Sequence, residues 1–192
     1  MHTNLNKFIT KYVNLSDVEL DDITSKFKSK VVKKNNYLLR QGDTCKDLIF
    51  VQKGCLRLYY LKDDIEVIVW FAFQQSSAIE IYSFISGNPS NYFLQAIEDS
   101  EVLCLSKTEL NKLYKYQPKM QEMMRNFWED VILNLISRFT ALQKDSAEKR
   151  YLDLLNKQPD YLETIPQKYL ASFIGVTPTS LSRIRKQIIK TH

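Results

Sequence analysis

Histidine is nearly missing from this 192-residue chain: there are two, at positions 2 and 192. The body of the chain therefore offers no imidazole base, no Ser–His or Cys–His pair, and no histidine ligand for zinc or haem. Carboxylate or lysine chemistry stays formally open, but the residue inventory points to a protein that is not an enzyme. Cysteine is scarce too. Cys45, Cys55 and Cys104 are odd in number, widely spaced and form no C-x-x-C pair, which argues against a secreted disulfide framework. They read as core or turn residues, with a redox sensor as the alternative. Long apolar runs are absent: Val67–Phe73 falls far short of the roughly 20 residues a membrane span needs. Met1–Lys7 lacks the apolar core of a signal peptide. The expectation is a soluble, cytoplasmic protein with no membrane partner. At 44% hydrophobic and 26% charged residues the composition excludes collagen-like, low-complexity and wholly disordered classes. The length suits one large domain or two small ones with a genuine core.

Acidic residues are missing from one stretch. From Thr164 to His192 there are five bases (Lys168, Arg183, Arg185, Lys186, Lys190) and no acid, while the preceding 163 residues hold 22 bases against 22 acids. The whole formal charge of +5 therefore sits in the last 29 residues. These bases alternate with apolar residues at helical spacing, so a folded basic face is a better reading than a solvated tail. Such a face is the electrostatic footprint of a nucleic-acid partner.

Ser16-Asp17-Val18-Glu19 is a capping-box pattern that opens a short helix ending near Phe27. Short segments rich in β-branched and aromatic residues follow: Val31-Val32, Tyr37–Leu39, Leu48–Val51, Cys55–Leu61, Glu66–Phe73, Tyr92–Ile97 and Val102–Leu105. In Cys55–Leu61 the alternation sets Leu56, Leu58 and Tyr60 on one face, Arg57 and Tyr59 on the other. Turn signals at Gln41-Gly42-Asp43, Gln52-Lys53-Gly54 and Lys62-Asp63-Asp64 separate the strands, predicting an antiparallel sandwich or barrel. Ser83–Ser90 interrupts the series as a short helix or loop. From Ser106 onward the pattern is helical. Ser106-Lys107-Thr108-Glu109 is a second capping box, and Pro118 restarts the pattern. Met120, Met124, Phe127, Val131, Leu135, Phe139 and Leu142 then recur at intervals of four or three. Such a stripe packs on its own β domain or pairs with its twin in a homodimer, and pairing is the reading preferred for its length. Asp145-Ser146-Ala147-Glu148 starts a further helix.

Gln167–Lys186 (QKYLASFIGVTPTSLSRIRK) is the most informative stretch. A helix-turn-helix needs a small residue where its helices cross, a turn glycine, and apolar residues at fixed inward positions. Ala171 permits the close approach, Gly175 the positive φ, and Leu170, Ile174, Val176, Leu181 and Ile184 take the inward positions. Thr177-Pro178 opens the second helix with an N-cap and a proline at the first helical position. That helix exposes Thr179, Ser180, Ser182, Arg183, Lys186 and Gln187. Short hydroxyl residues at a helix start can donate to phosphates, and a guanidinium can make a bidentate contact to guanine.

These features together, with Arg40-Gln41-Gly42-Asp43 leading to Phe50–Arg57, resemble the Crp/Fnr (cAMP receptor protein/fumarate-nitrate regulator) family of transcription factors over nearly the whole chain. The resemblance implies a cyclic-nucleotide-binding-type β-roll, a dimerising helix and a winged helix-turn-helix. It places Thr179 and Arg183 at base-reading positions and Gln167, Lys168, Thr177 and Ser180 at phosphate contacts. Ser182 and Lys186, on the same exposed face, join the phosphate set. Pro178 stands where the best-known members have a base-reading arginine. The nucleotide-binding members carry Gly-Glu and, ten residues after the Glu, Arg-Ser. Here Glu80 matches the Glu, but Ile79 replaces the Gly and Ser90-Asn91 replace Arg-Ser. The positions that face the base in those members are Leu135 and Ile136. A chain lacking the phosphate-binding arginine is expected not to respond to cAMP. No cysteine precedes Cys45 to hold an iron–sulfur cluster, and no internal histidine holds haem, so no cofactor is expected. Glu80, Ser90, Asn91 and Tyr92, with Leu135 and Ile136, either line a pocket for another small-molecule effector or, in the plainer reading, Glu80 is a strand-end carboxylate and aromatic side chains fill the space.

The fold class expected is α+β: a β-roll over residues 1–117, a dimerisation helix over 118–144 and a DNA-binding unit over 145–192. The function expected is that of a homodimeric, sequence-specific transcriptional regulator on a pseudo-palindromic DNA operator. An activator also touches RNA polymerase, and no pattern in the sequence marks that surface. The alternative is a ligand-sensing or protein-interaction module whose helix-turn-helix is a docking surface; a cupin-like enzyme is disfavoured by the missing histidines.

Overall fold

The computed structural model describes residues 3–157, 159 and 164–191. The elements run α1 (Thr3–Thr10), α2 (Asp17–Ser25), β1 (Lys28–Val32), β2 (Tyr37–Leu39), β3 (Asp47–Lys53), β4 (Cys55–Lys62), β5 (Ile65–Phe73) and β6 (Ser77–Ala78), then α3 (Ile81–Ser86), β7 (Phe93–Ala96) and β8 (Ser100–Ser106). Helices α4 (Lys107–Tyr116), α5 (Pro118–Lys144), α6 (Ala147–Lys157), α7 (Gln167–Ile174) and α8 (Pro178–Thr191) follow. The chain divides into two compact units. The first runs as far as Tyr60 and includes Trp70–Asp130; the second holds Leu61–Val69 and the chain from Val131 onward. The division falls inside α5.

In the first unit the strands form two four-stranded sheets, β1-β8-β3-β6 and β2-β7-β4-β5, the second continuing along β5. Central strand β3 reads as an unbroken apolar run because it is covered on both faces: Leu48, Ile49, Phe50 and Val51 are all buried. Phe50 meets Phe8 of α1 with ring centroids 5.2 Å apart, and Phe8 and Tyr12 both meet Phe127 of α5 edge-on at 6.0 and 5.7 Å. Asp130 ties the same corner, accepting from Lys11 Nζ and the Tyr12 hydroxyl, each at 2.8 Å. The turn between β3 and β4 requires Gly54: its φ is +94°, and a Cβ there would lie 2.3 Å from Ser100 Oγ. The first predicted capping box forms, Ser16 closing reciprocally on Glu19; at the second only the N-cap half is present, Ser106 accepting from the Glu109 N–H while the Glu109 carboxylate pairs with Lys112.

Arg57 and Tyr59, which the alternation sets on the face opposite Leu56, Leu58 and Tyr60, are buried. The Arg57 Nε donates to Gln95 Oε1 at 2.8 Å, across the β4–β7 pair, and its guanidinium lies 4.1 Å from the Tyr59 ring centroid. The apolar stripe of α5 divides. Met120, Met124 and Phe127, expected to face a partner chain, are buried in the first unit's core under α1 (Phe127 is 1% exposed), whereas Leu135, Phe139 and Leu142 are exposed and Val131 is half-buried.

In the second unit the hairpin tip between β4 and β5 turns on Asp63 and Asp64, both at positive φ (49° and 62°), which matches the twist of the flanking strands. Helices α7 and α8 cross over Leu170, Ala171, Ile174 and Leu181, all buried. Among the described residues no strand follows β8, so the wing implied by the family resemblance is not among them. No helix among the described residues is long and apolar enough to cross a membrane.

Candidate nucleic-acid interface and effector cassette

The α7–turn–α8 unit is built from the backbone outward. Gly175 ends α7 with φ +81° and ψ 37°, the left-handed conformation its lack of a Cβ allows. Every one of the last four α7 carbonyls then finds a donor. The Val176 and Gly175 N–H groups serve Ala171 and Ser172 (3.0 and 3.1 Å). Two arginines from outside the motif serve the rest: Arg138 Nη2 donates to the Phe173 carbonyl and Arg150 Nε to that of Ile174, each at 2.9 Å. Burial, and secondarily the neighbouring Arg150, pulls the Arg138 guanidinium down to about 10, still charged at neutral pH. Ser172 Oγ fixes the other side of α7, accepting from the Ile68 N–H (2.9 Å) and donating to the Glu66 carbonyl (3.1 Å) of β5. The crossing is thus anchored to α5, α6 and the hairpin at once.

Thr177 caps α8, its Oγ1 accepting from the Ser180 N–H at 3.2 Å and lying 3.0 Å from Ser180 Oγ. Gln167 Nε2 bridges from the start of α7 to Ser182 Oγ (2.6 Å) and the Pro178 carbonyl (3.2 Å). Four of the six residues expected at phosphates, Gln167, Thr177, Ser180 and Ser182, are therefore bonded to one another in pairs. Lys168 and Lys186 are exposed, as are Thr179 and Arg183. Thr179, Arg183 and Lys186 lie at offsets of four and three, one stripe on the outer side of α8. Arg185 points the other way, its guanidinium 5.6 Å from the Tyr151 ring centroid.

The second candidate site is the segment around α3. Glu80 is buried and caps that helix, Oε1 accepting from the Tyr82 N–H and Oε2 from the Ser83 N–H, both at 3.0 Å. Ser90 is buried in a two-way backbone exchange: its N–H donates to the Asp43 carbonyl and its carbonyl accepts from Gly42, each at 2.8 Å. That exchange is where the Arg40–Asp43 motif does its structural task. Tyr92 is half-buried and meets Tyr60 edge-on at 5.7 Å; burial, then Glu80 and Tyr60, push its hydroxyl above the usual phenol range. Asn91 is exposed. Leu135 and Ile136, expected at the same pocket, are exposed residues of the other unit. Lys107 reaches the segment, but Nζ donates to the Phe84 and Ile85 carbonyls at the end of α3. Residues 80–92 contain no lysine or arginine. This donor set does not fit a cyclic phosphate, which needs a cation to offset its burial. The cavity beside it, of about 320 Å³, is lined by Leu39, Ile49 and Leu94 with Asp43, Lys46 and Asp47, one cation between two carboxylates. Replacing Glu80 with Ala is expected to lower stability by about 1–2 kcal/mol in urea unfolding, with or without nucleotide present. An unchanged midpoint overturns the capping role.

The three thiols are poor nucleophiles: burial holds Cys45 and Cys55 above the ordinary range and raises Cys104 to about 11. Arg138, Arg150, Ser172 and Lys107 escaped the sequence reading. Their partners are backbone carbonyls and N–H groups far along the chain, and no local pattern announces them.

A family model for the cyclic nucleotide-binding domain matches residues 29–117. Among curated proteins, the cyclic nucleotide-gated channel alpha-4 of Mus musculus is 25% identical, over 79% of this chain. The match spans only 28% of that channel's length. Among solved structures, FixK2 of Bradyrhizobium japonicum superposes with a TM-score of 0.73 at 15% identity, covering 86% of this chain and 85% of FixK2. A Eubacterium rectale protein assigned to the Crp/Fnr family of transcriptional regulators gives 0.69 at 16% identity, over 92% of this chain and 85% of its own. Residues 29–117 are therefore a domain of the cyclic nucleotide-binding family, carried in a chain with the fold of the Crp/Fnr regulators.

Proposed function

We propose that this chain is a homodimeric, sequence-specific DNA-binding transcriptional regulator of the Crp/Fnr type that does not respond to cAMP. One observation carries the DNA reading: the stripe of Thr179, Arg183 and Lys186 is exposed on a helix whose inner side is closed by Leu181, in a segment with five bases and no acid. In this reading α8 is the recognition helix of a helix-turn-helix and enters the major groove from its N-terminal end. Two copies would enter successive grooves about 34 Å apart, so the operator is a pseudo-palindrome. Pairing runs through the second half of α5, where Ile132, Leu135, Phe139 and Leu142 follow a 3-4 spacing and are exposed. Residues 80–92, which hold no lysine or arginine, support the absence of a cAMP response. The reading assigns the chain no reaction and no resident cofactor.

The test is binding to duplex DNA by fluorescence anisotropy as salt is raised, together with selection of bound duplexes from a random pool. Arg183→Ala is expected to weaken the selected site by about 1–3 kcal/mol and to relax preference at one base pair. Lys168→Ala should weaken all sequences alike and lower the salt slope by about one. DNA binding that is absent, or insensitive to salt, leaves a protein-docking surface as the role of α7 and α8.

A further inference from the structure

We infer that residues 80–92 form a segment closed from within, bolted by the Lys107 ammonium, so that α3 is held in place without a bound ligand. Helix α3 has six residues, Ile81–Ser86. A helix so short is marginal alone, because nearly all of its backbone groups are end groups without an intrahelical partner. Its conformation is therefore decided by whatever serves those ends. At the start, the Glu80 carboxylate accepts from the Tyr82 and Ser83 N–H groups, each at 3.0 Å. At the far end, Gly87 turns the chain away at φ +77° and its N–H serves the Ser83 carbonyl at 2.8 Å. The Phe84 and Ile85 carbonyls accept from Lys107 Nζ, the second at 3.0 Å. A carboxylate thus stands at the N-terminal end and an ammonium at the C-terminal end, the signs that favour a helix.

The middle of the segment is fastened too. Ser83 is fully buried, and its Oγ accepts from the Cys45 N–H (2.9 Å) and donates to the Asn88 carbonyl (2.5 Å). Ser90 exchanges backbone hydrogen bonds with Gly42 and Asp43, each at 2.8 Å. Lys107 is the bolt because its own main chain is fixed to the same loop: its N–H donates to the Lys46 carbonyl at 2.8 Å. Its side chain is half-buried, with Nζ 5.4 Å from the ring centroid of Phe84, which is itself buried. Hydrogen bonds from a charged donor are about twice as strong as neutral ones. A ligand shifts a conformational equilibrium only where two states are there to choose between. A segment engaged by its own chain at both ends and in the middle leaves the second state sparsely populated. This closure holds whether or not α8 binds DNA.

The experiment is hydrogen–deuterium exchange of the full chain, read by mass spectrometry on peptides covering residues 80–92. In the unaltered protein the bonded amides of Tyr82, Ser83, Phe84 and Gly87 are expected to exchange about a hundredfold or more slowly than an unstructured chain. Lys107→Met keeps an apolar stem and removes the charge. It should speed exchange in this segment about tenfold or more, the loss of a charge-assisted hydrogen bond, while β3 and β8 stay as they are. Lys107→Arg, which keeps donors for both carbonyls, should remain slow. Millimolar cAMP, as the probe ligand, should leave the unaltered protein's exchange here unchanged. Exchange in Lys107→Met that matches the unaltered protein, or that rises equally in β3 and β8, overturns the bolt, and so does Lys107→Arg exchanging as fast as Lys107→Met. Two outcomes overturn the closure without any variant: exchange as fast as an unstructured chain in the unaltered protein, or exchange slowed tenfold by cAMP.

Discussion

Phe139→Glu is expected to turn the proposed dimer into a monomer at micromolar concentration and to weaken binding to a two-half-site duplex by about a hundredfold or more. Phe139 is 62% exposed, and Ile132, Leu135 and Leu142 share its side of α5, also exposed. An exposed apolar strip of this length marks an interaction surface. Two-fold symmetry applies the substitution to both protomers, so two carboxylates would enter one apolar seam, each leaving water without a partner. The loss in DNA affinity follows from geometry alone. Two linked half-site contacts act at a millimolar effective concentration, worth 10²–10⁴ in affinity, and a monomer forfeits that factor without any change in α8. Sedimentation equilibrium reads the first effect and anisotropy on full and half sites reads the second. Because Phe139 is exposed within its own chain, circular dichroism should stay the same. A variant that sediments as the unaltered protein does, or that loses affinity equally on half-sites and full sites, places the pairing surface elsewhere.

What could be read from the sequence was whatever is local. The α7–turn–α8 unit was legible because a left-handed glycine, a small crossing residue and an N-cap each act within a few residues. Gly175, Ala171 and Thr177 sit where that logic put them. The strands of the β-roll were legible as short runs rich in β-branched and aromatic residues, with alternation in β4, except β6, which spans only Ser77–Ala78 and is too short to carry either signal. Helix α1 was missed because eight residues with two threonines and two asparagines among them look polar, although Leu5 and Ile9, four apart, are fully buried. That omission had a consequence at a distance. Without α1, the first half of the α5 stripe had no partner in its own chain, so Met120 to Leu142 read as one continuous seam.

Buried charge was the other blind spot. The alternation in β4 set Arg57 opposite the leucines, which is correct as geometry, yet the side chain is buried because Gln95 accepts from it and Tyr59 lies under it. Alternation says which side a residue faces, not whether that side is wet. Glu80 shows the same limit from the functional direction. A carboxylate ahead of a short helix suits a bound effector and suits two backbone N–H groups, and here it accepts from the Tyr82 and Ser83 N–H groups.

The division of the α5 stripe leads to the second large effect. Phe127→Ala is expected to lower stability by about 3–5 kcal/mol, the range for a phenylalanine removed from a well-packed core. Phe127 is 1% exposed, and Phe8, Tyr12 and Trp128 surround it with ring centroids 5.2–6.0 Å away. Aromatic edge contacts add to the lost burial. Since the chain divides into two compact units, the loss should fall on one of them. In urea the transition belonging to the β-roll unit should move to lower denaturant, while near-UV signals of the α7–α8 unit keep their midpoint. At concentrations where the β-roll remains folded, Phe127→Ala should sediment as a dimer, in contrast to Phe139→Glu three turns along the same helix. A stability loss under about 1 kcal/mol, or dissociation of the folded dimer, means that Phe127 faces a partner chain after all and that α5 is a single seam.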